Sequence, residues 1–208
     1  MNALNKFETA LHTLPLVAIL RDLSPVEALD VGAQLTAAGF GLIEVPLNSP
    51  DPIQSIALLA AHYPQALVGA GTVLTAREVR EVHAAGGQLI VAPNFNPEVV
   101  AEALRRHMVV LPGVMTPSEA FAALAAGAHG LKLFPAEMVS PSVVKALRAV
   151  IPAAVPLLPV GGITPENMAA YRAAGASGFG IGSALYKPSM TAAQVGAAAQ
   201  RFALAWRS

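Results

Sequence analysis

Two charged residues stand where a buried strand would carry Val or Ile. The run Gly130-Leu131-Lys132-Leu133-Phe134-Pro135 holds an ammonium among apolar neighbours, and Ile43-Glu44-Val45-Pro46 does the same with a carboxylate. If both runs are strands, side chains alternate between faces. Leu131 and Leu133 then share one face and Lys132 points the other way, as Glu44 does relative to Ile43 and Val45. A free lysine has a pKa near 10.4, so only about one molecule in a few thousand carries a neutral amine at pH 7. Burial disfavours the ammonium and brings the pKa down to roughly 7–8. The neutral amine is then a nucleophile toward a carbonyl, and a nearby carboxylate can carry its protons. The bland alternatives are a strand-end lysine reaching to water and a structural ion pair. Two ions left in a core cost desolvation energy that apolar packing avoids.

The elements that must position this pair follow from a repeat. Ala37-Ala38-Gly39, Ala84-Ala85-Gly86, Ala125-Ala126-Gly127 and Ala173-Ala174-Gly175 each read as a helix stopping at a glycine, followed by an apolar run. The glycines lie 47, 41 and 48 residues apart, a spacing that fits two strand–helix units. Further strands are expected near Leu16–Leu20, Leu67–Ala70, Val109–Leu111 and Leu157–Val160. Helix starts are expected at Ser24-Pro25, Thr116-Pro117 and Thr164-Pro165, where a hydroxyl precedes a proline at the first helical position. Alternation through the whole chain predicts a closed (β/α)₈ TIM barrel, with residues 2–12 as an extra N-terminal helix and residues 1–208 as one domain. An open doubly wound sheet would normally carry a Gly-x-Gly-x-x-Gly turn after its first strand. Here the chain reads Leu20-Arg21-Asp22-Leu23.

In a barrel, reactive groups come from the C-terminal ends of strands. That rule selects Arg21, Glu44, Gly71-Thr72, Lys132, Gly161-Gly162 and Gly182-Ser183. Glycines after the seventh and eighth strands let backbone N–H groups approach an anion, and phosphate sites of this fold frequently lie there. Arg21 can fork onto a carboxylate. His62, His83 and His107 are expected near helix C-termini, His129 before the lysine run and His12 in the N-terminal segment. None pairs with another at ligand spacing, so neither a metal nor another cofactor is expected.

Composition narrows the partners. Apolar residues make up 54% of the chain and charged residues 12%, about half the usual charged share. A large core with little charged surface points to association between copies. Formal charge is zero and no Lys/Arg run exists, so nucleic acid and anionic membranes have no electrostatic hold. The uncharged stretch between Arg148 and Glu166 contains Pro152, Pro156 and Pro159, which a membrane-spanning helix would not tolerate. The N-terminus, with Lys6 and Glu8 ahead of a short apolar run, does not read as a signal peptide. Cysteine is absent, which excludes disulfides and thiolate chemistry. The cytoplasm is the default expectation.

From about Leu14 to Tyr186 the chain resembles the pyruvate-forming 2-keto-3-deoxy-6-phosphogluconate/galactonate aldolases. The resemblance rests on Ile19-Leu20-Arg21, Ile43-Glu44-Val45-Pro46-Leu47, Val68-Gly69-Ala70-Gly71-Thr72-Val73-Leu74, Leu131-Lys132-Leu133-Phe134-Pro135-Ala136, Val160-Gly161-Gly162-Ile163-Thr164-Pro165-Glu166-Asn167 and Gly180-Ile181-Gly182-Ser183, in the family's order. It implies that Lys132 forms the Schiff base, that Glu44 transfers protons, and that Arg21 and Thr72 hold the pyruvate carboxylate end. It also implies that Gly161, Gly162, Gly182 and Ser183 bind the phosphate and that the protein is a homotrimer. The phosphogluconate branch usually has arginine four residues after the glutamate and threonine before Gly-Gly. This chain has Asn48 and Val160, as the phosphogalactonate branch does, which implies cleavage of 2-dehydro-3-deoxy-6-phosphogalactonate. Two other readings of the same residues stay open here. One is a phosphosugar epimerase, with Glu44 as base and Lys132 as an electrostatic stabiliser; the other is a non-catalytic sugar-phosphate sensor.

Overall fold

Left-handed glycines end four of the helices. Gly39, Gly86, Gly127 and Gly175 have φ of +97°, +86°, +96° and +101°, a region open to glycine at little steric cost. A computed structural model describes residues 1–208. Helix α1 (Ala3–Thr13) precedes β1 (Leu16–Ile19), α2 (Pro25–Ala37), β2 (Leu42–Pro46), α3 (Pro52–His62), β3 (Leu67–Gly71), α4 (Ala76–Ala84), β4 (Leu89–Val91) and α5 (Pro97–Arg105). Then come β5 (Val109–Leu111), β6 (Gly113–Val114), α6 (Pro117–Ala125), β7 (Leu131–Leu133), α7 (Pro141–Arg148), β8 (Leu157–Pro159), α8 (Met168–Ala173), β9 (Phe179–Ile181) and α9 (Ala192–Arg207).

The caps bear out two of the three expected helix starts. Ser24 and Thr116 are N-caps with proline following, and Thr116 forms a reciprocal capping box with Glu119. The third start is corrected. Helix α8 begins at Met168 with Asn167 as N-cap, not at Pro165, because the Asn167 side chain is engaged with the loop before it. It accepts from Thr164 N at 3.0 Å and donates to Gly162 O at 2.8 Å.

All strand pairs are parallel. One sheet runs β5-β4-β3-β2-β1-β9 and a second β6-β7-β8. Pro112 forms one seam between them, separating β5 from β6. Proline has no N–H for the ladder, yet its carbonyl still accepts from Lys132 N at 3.0 Å. At the other seam Val160, just past β8, bridges Gly180 in β9. The architecture is α/β with a curled parallel sheet.

The curl divides the core in two. Residues such as Ile43, Val45, Leu131, Leu133, Phe179 and Ile181 face outward and pack with the helices in one large cluster. The inward-facing Val17, Leu42, Leu67, Leu89, Val109 and Leu158 form a second cluster with Ala3, Phe7 and Ala10 of α1. Each such buried Leu, Val or Phe stabilises the fold by roughly 1.5–3 kcal/mol. Leu42, Leu67, Leu89 and Val109 open their strands, so α1 covers the N-terminal ends. Lys6 Nζ ties it there, donating to Gln88 Oε1 at 2.7 Å. Two residues further along the same inner face the apolar floor gives way to Glu44, and Lys132 lies on that face of β7 beside Leu158.

Candidate active site

Lys132 is 8% exposed and Glu44 1%. The ion pairs of the molecule are Arg77–Glu81 and the arginines gathered on Glu102. Lys132 and Glu44 are not joined in one, so the structural-ion-pair alternative lacks its contact. Lys132 Nζ instead lies 4.7 Å from the centre of the Phe134 ring. Burial, reinforced by the charge on Arg21 and opposed by Glu44, holds its amine below the ordinary lysine value. Burial likewise pushes Glu44 up to about 7, against the pull of Lys132 and Arg21. Its Oε2 has no hydrogen-bond partner. A carboxyl near 7 is half-protonated at neutral pH and can both give and take a proton.

The space for Glu44 is made by an absent side chain. A Cβ on Gly71 would overlap its carboxylate. Thr72, the next residue, has φ +57°, a conformation that costs a β-branched residue about 1–3 kcal/mol and persists only when its surroundings impose it. The turn that follows is held by the Thr75–Glu78 capping box, with Leu74 N and Thr75 N donating to Glu78 Oε2 at 2.6 and 2.9 Å, and by Asn96 Nδ2, which donates to Leu74 O.

A cavity of about 380 Å³ opens above Lys132. Of the residues selected from sequence it brings together Arg21, Lys132, Val160, Gly161, Gly162, Gly182 and Ser183. Glu44 lies buried below its lining and Thr72 lies outside the lining. Arg21 Nη1 donates to Asn48 Oδ1 at 3.0 Å, which braces the guanidinium at the rim. Val160 stands over Gly180, where an added Cβ would come within 2.7 Å of Val160 Cγ2 and 3.1 Å of Ile19 Cδ1. Sequence reasoning missed Phe134, Glu137, Tyr186 and Lys187, which also line the cavity. The signal for the first two was their place immediately after the lysine run. Tyr186 is held by its hydroxyl, which donates to Glu27 Oε2 at 2.6 Å.

At the far side the backbone is prepared for an anion. Gly161 and Gly162 have φ of +116° and +60°. The N–H groups of Gly161, Gly162, Gly182 and Ser183 donate to no acceptor in the protein, and unpaired amides facing a cavity are donors awaiting a ligand. Gly182 is informative because nothing lies within 4 Å of where its Cβ would be and its φ is not left-handed. The protein itself does not require glycine there.

A depressed lysine and a raised carboxyl on one inner face, beneath a cavity lined at one end by free amides, define a carbonyl-directed amine site of the lysine-dependent lyase type. The chain belongs to the KDPG and KHG aldolase family, whose model matches residues 7–200. It is 50% identical over 182 residues to a probable 2-dehydro-3-deoxy-6-phosphogalactonate aldolase of Rhizobium meliloti (strain 1021), covering 87% of this chain and 86% of that one. It is 45% identical over 195 residues to the 2-dehydro-3-deoxy-6-phosphogalactonate aldolase of Escherichia coli (strain K12), covering 93% and 95%. Among solved structures, a native KDPGal structure superposes with TM-score 0.92 at 45% identity, covering 93% of this chain and 95% of that one. The KDPG aldolase of Legionella pneumophila, captured with pyruvate as a covalent carbinolamine, superposes with TM-score 0.80 at 27% identity, covering 94% of each.

Proposed function

We propose that the protein is a class I aldolase that cleaves 2-dehydro-3-deoxy-6-phosphogalactonate to pyruvate and D-glyceraldehyde 3-phosphate. The observation that carries this reading is the buried, unpaired Lys132 beside a carboxyl near neutrality, together with the kinship to phosphogalactonate aldolases. Neutral Lys132 attacks the C2 carbonyl, and proton transfers from Glu44 let the carbinolamine lose water to a protonated imine. Glu44 then takes the C4 hydroxyl proton. The C3–C4 bond breaks, its electron pair runs into the imine nitrogen, and C4 leaves as the aldehyde carbon. The enamine takes a proton at C3, and water hydrolyses the imine to pyruvate and free Lys132. The iminium is the electron sink, so no metal or other cofactor is assigned a step.

Arg21 and Thr72 are assigned to the carboxylate end of the substrate. The amides of Gly161, Gly162, Gly182 and Ser183 are assigned to the phosphate, with Lys187 adding positive charge at the cavity wall. Phosphate binding far from C2 orients the reacting carbons. Val160 is assigned to the C4 configuration.

The same proposal includes a closed (β/α)₈ barrel, in which β5 and β6 are one stave broken at Pro112 and α1 is an extra N-terminal helix. The pairings on both sides of each seam support it. A core cluster running from Leu14 to Ala203 supports a single domain over residues 1–208. Exposed Leu74, Met115 and Phe121 support burial against other copies in a homotrimer. No helix is long and apolar enough to cross a membrane. The proposal includes a cytoplasmic location, which is supported by a triply charged substrate that crosses no bilayer unaided. Incubation with pyruvate and borohydride tests the core of the proposal. Irreversible inactivation with one adduct per chain on Lys132 is expected, and absence of any adduct would favour an epimerase or a sensor.

A further inference from the structure

Glu137 has no role in the chemistry above, yet its carboxylate lies on the glycine loop. A Cβ on Gly161 would overlap Glu137 Oε2, and one on Gly162 would come within 3.3 Å of Glu137 Cγ and 3.4 Å of Oε1. The residue lines the same cavity as Lys132, Gly161 and Gly162. It accepts no hydrogen bond and joins no ion pair. Its backbone is fixed on the N-terminal side, where Ala136 N donates to Val160 O at 2.9 Å and Ala136 O accepts from the Tyr171 hydroxyl at 3.1 Å. The side chain itself is exposed. The Glu137 carboxylate therefore lies against two glycines whose amides have no acceptor in the protein.

We propose that Glu137 is a resident anion of the phosphate subsite, which the phosphate group of the substrate must displace or face. This rests on the assignment of Gly161 and Gly162 to phosphate made above. An unpaired negative charge beside such a subsite raises the free energy of every bound anion, and a small free anion has no remote contacts to offset the penalty. Glu137 thus lowers affinity for inorganic phosphate and for the three-carbon phosphate product. The intact sugar acid, anchored also at its carboxylate and at C2, carries the penalty most easily. The penalty is common to every ligand that places a phosphate there, so Glu137 acts by repulsion against retention of phosphate and of the phosphorylated product.

The test uses Glu137→Gln and Glu137→Ala in the condensation direction, with pyruvate trapping at Lys132 as the check that each variant has folded. Inorganic phosphate is the probe, measured as a competitive inhibitor against D-glyceraldehyde 3-phosphate. Its inhibition constant should fall by about three- to tenfold in both variants, the worth of one partly screened like charge, and the KM for D-glyceraldehyde 3-phosphate should fall in parallel. Unphosphorylated D-glyceraldehyde should show no such change in KM. Inhibition by phosphate that is unchanged or weaker in the variants overturns the inference while leaving the glycine-loop assignment standing. Failure of phosphate to compete even with the wild type overturns both. A raised KM for the phosphorylated aldehyde would make Glu137 a hydrogen-bond acceptor for substrate, and that too rejects the proposal.

Discussion

The carboxylate of Glu44 occupies the volume that a side chain at Gly71 would need. The two residues lie on adjacent strands, with Pro46 of β2 in register with Gly71 of β3, so the proton carrier leans across the ladder into room left by its neighbour. Gly71→Ala should therefore displace Glu44 without touching Lys132. Turnover should fall by about 10²-fold or more while pyruvate trapping at Lys132 persists. Wild-type turnover in this variant would show that the position of Glu44 does not matter.

Trapping should be confined to one lysine. Lys132 alone lies on the inner face of a strand, whereas Lys145 is on α7 and Lys187 is exposed. Lys132→Met should abolish both the adduct and turnover, and peptide mapping that put the label on Lys145 or Lys187 would contradict the mechanism.

Glu44→Gln keeps the shape and removes the proton. Turnover should drop by roughly 10²–10⁴, and the limb of the kcat/KM profile near pH 7, which follows from the raised Glu44 pKa, should vanish. A pH profile that retains this limb would assign it to another group.

The same substitution has a stability signature of defined sign. A carboxyl raised in the folded state costs nothing at pH values low enough to protonate it in both states. The cost grows as pH rises past the unfolded value near 4.3 and levels off above about 7. At full extent it is about 4 kcal/mol, so the Gln variant should gain in Tm on the wild type between pH 4 and pH 8. Thermal unfolding in which the difference between the two does not change with pH would contradict the buried, ionising Glu44.

Val160 decides part of the epimer choice. Valine fills the wall beside Gly180 but offers no hydrogen bond at C4, whereas threonine would. One neutral hydrogen bond is worth about 0.5–1.5 kcal/mol, so Val160→Thr should raise the gluconate-to-galactonate ratio of kcat/KM by a few-fold to about tenfold. Kinetics on both epimers check this, and an unchanged ratio would remove Val160 from the specificity argument.

What could be read in advance depended on how local its cause was. Lys132 and Glu44 were legible because strand alternation is a two-residue rule, and the helix stops because glycine at a left-handed φ is a one-residue rule. The break at Pro112 was within reach of the same kind of reasoning, since a proline inside an apolar run removes a ladder donor. The late start of α8 was not legible, because Asn167 spends its side chain on Gly162 and Thr164 rather than on a helix. Lys187 reaches the cavity only through the placement of the loop after β9 beside the loop after β7, two strands far apart in sequence. The bracing of Arg21 by Asn48 likewise joins turns that become neighbours only when β1 and β2 pair.

The pairing of β1 with β9, with Leu16 beside Phe179, sets the order in which the molecule acquires its properties. Arg21 follows one of these strands and Gly182 and Ser183 the other, so the two ends of the cavity are separated by most of the chain. At usual rates of synthesis the second half of this seam leaves the ribosome roughly tens of seconds after the first. Lys132 and Glu44 are made in between. A nascent chain therefore carries Lys132 as an ordinary solvated ammonium, and the amine becomes a nucleophile only when the folded chain buries it.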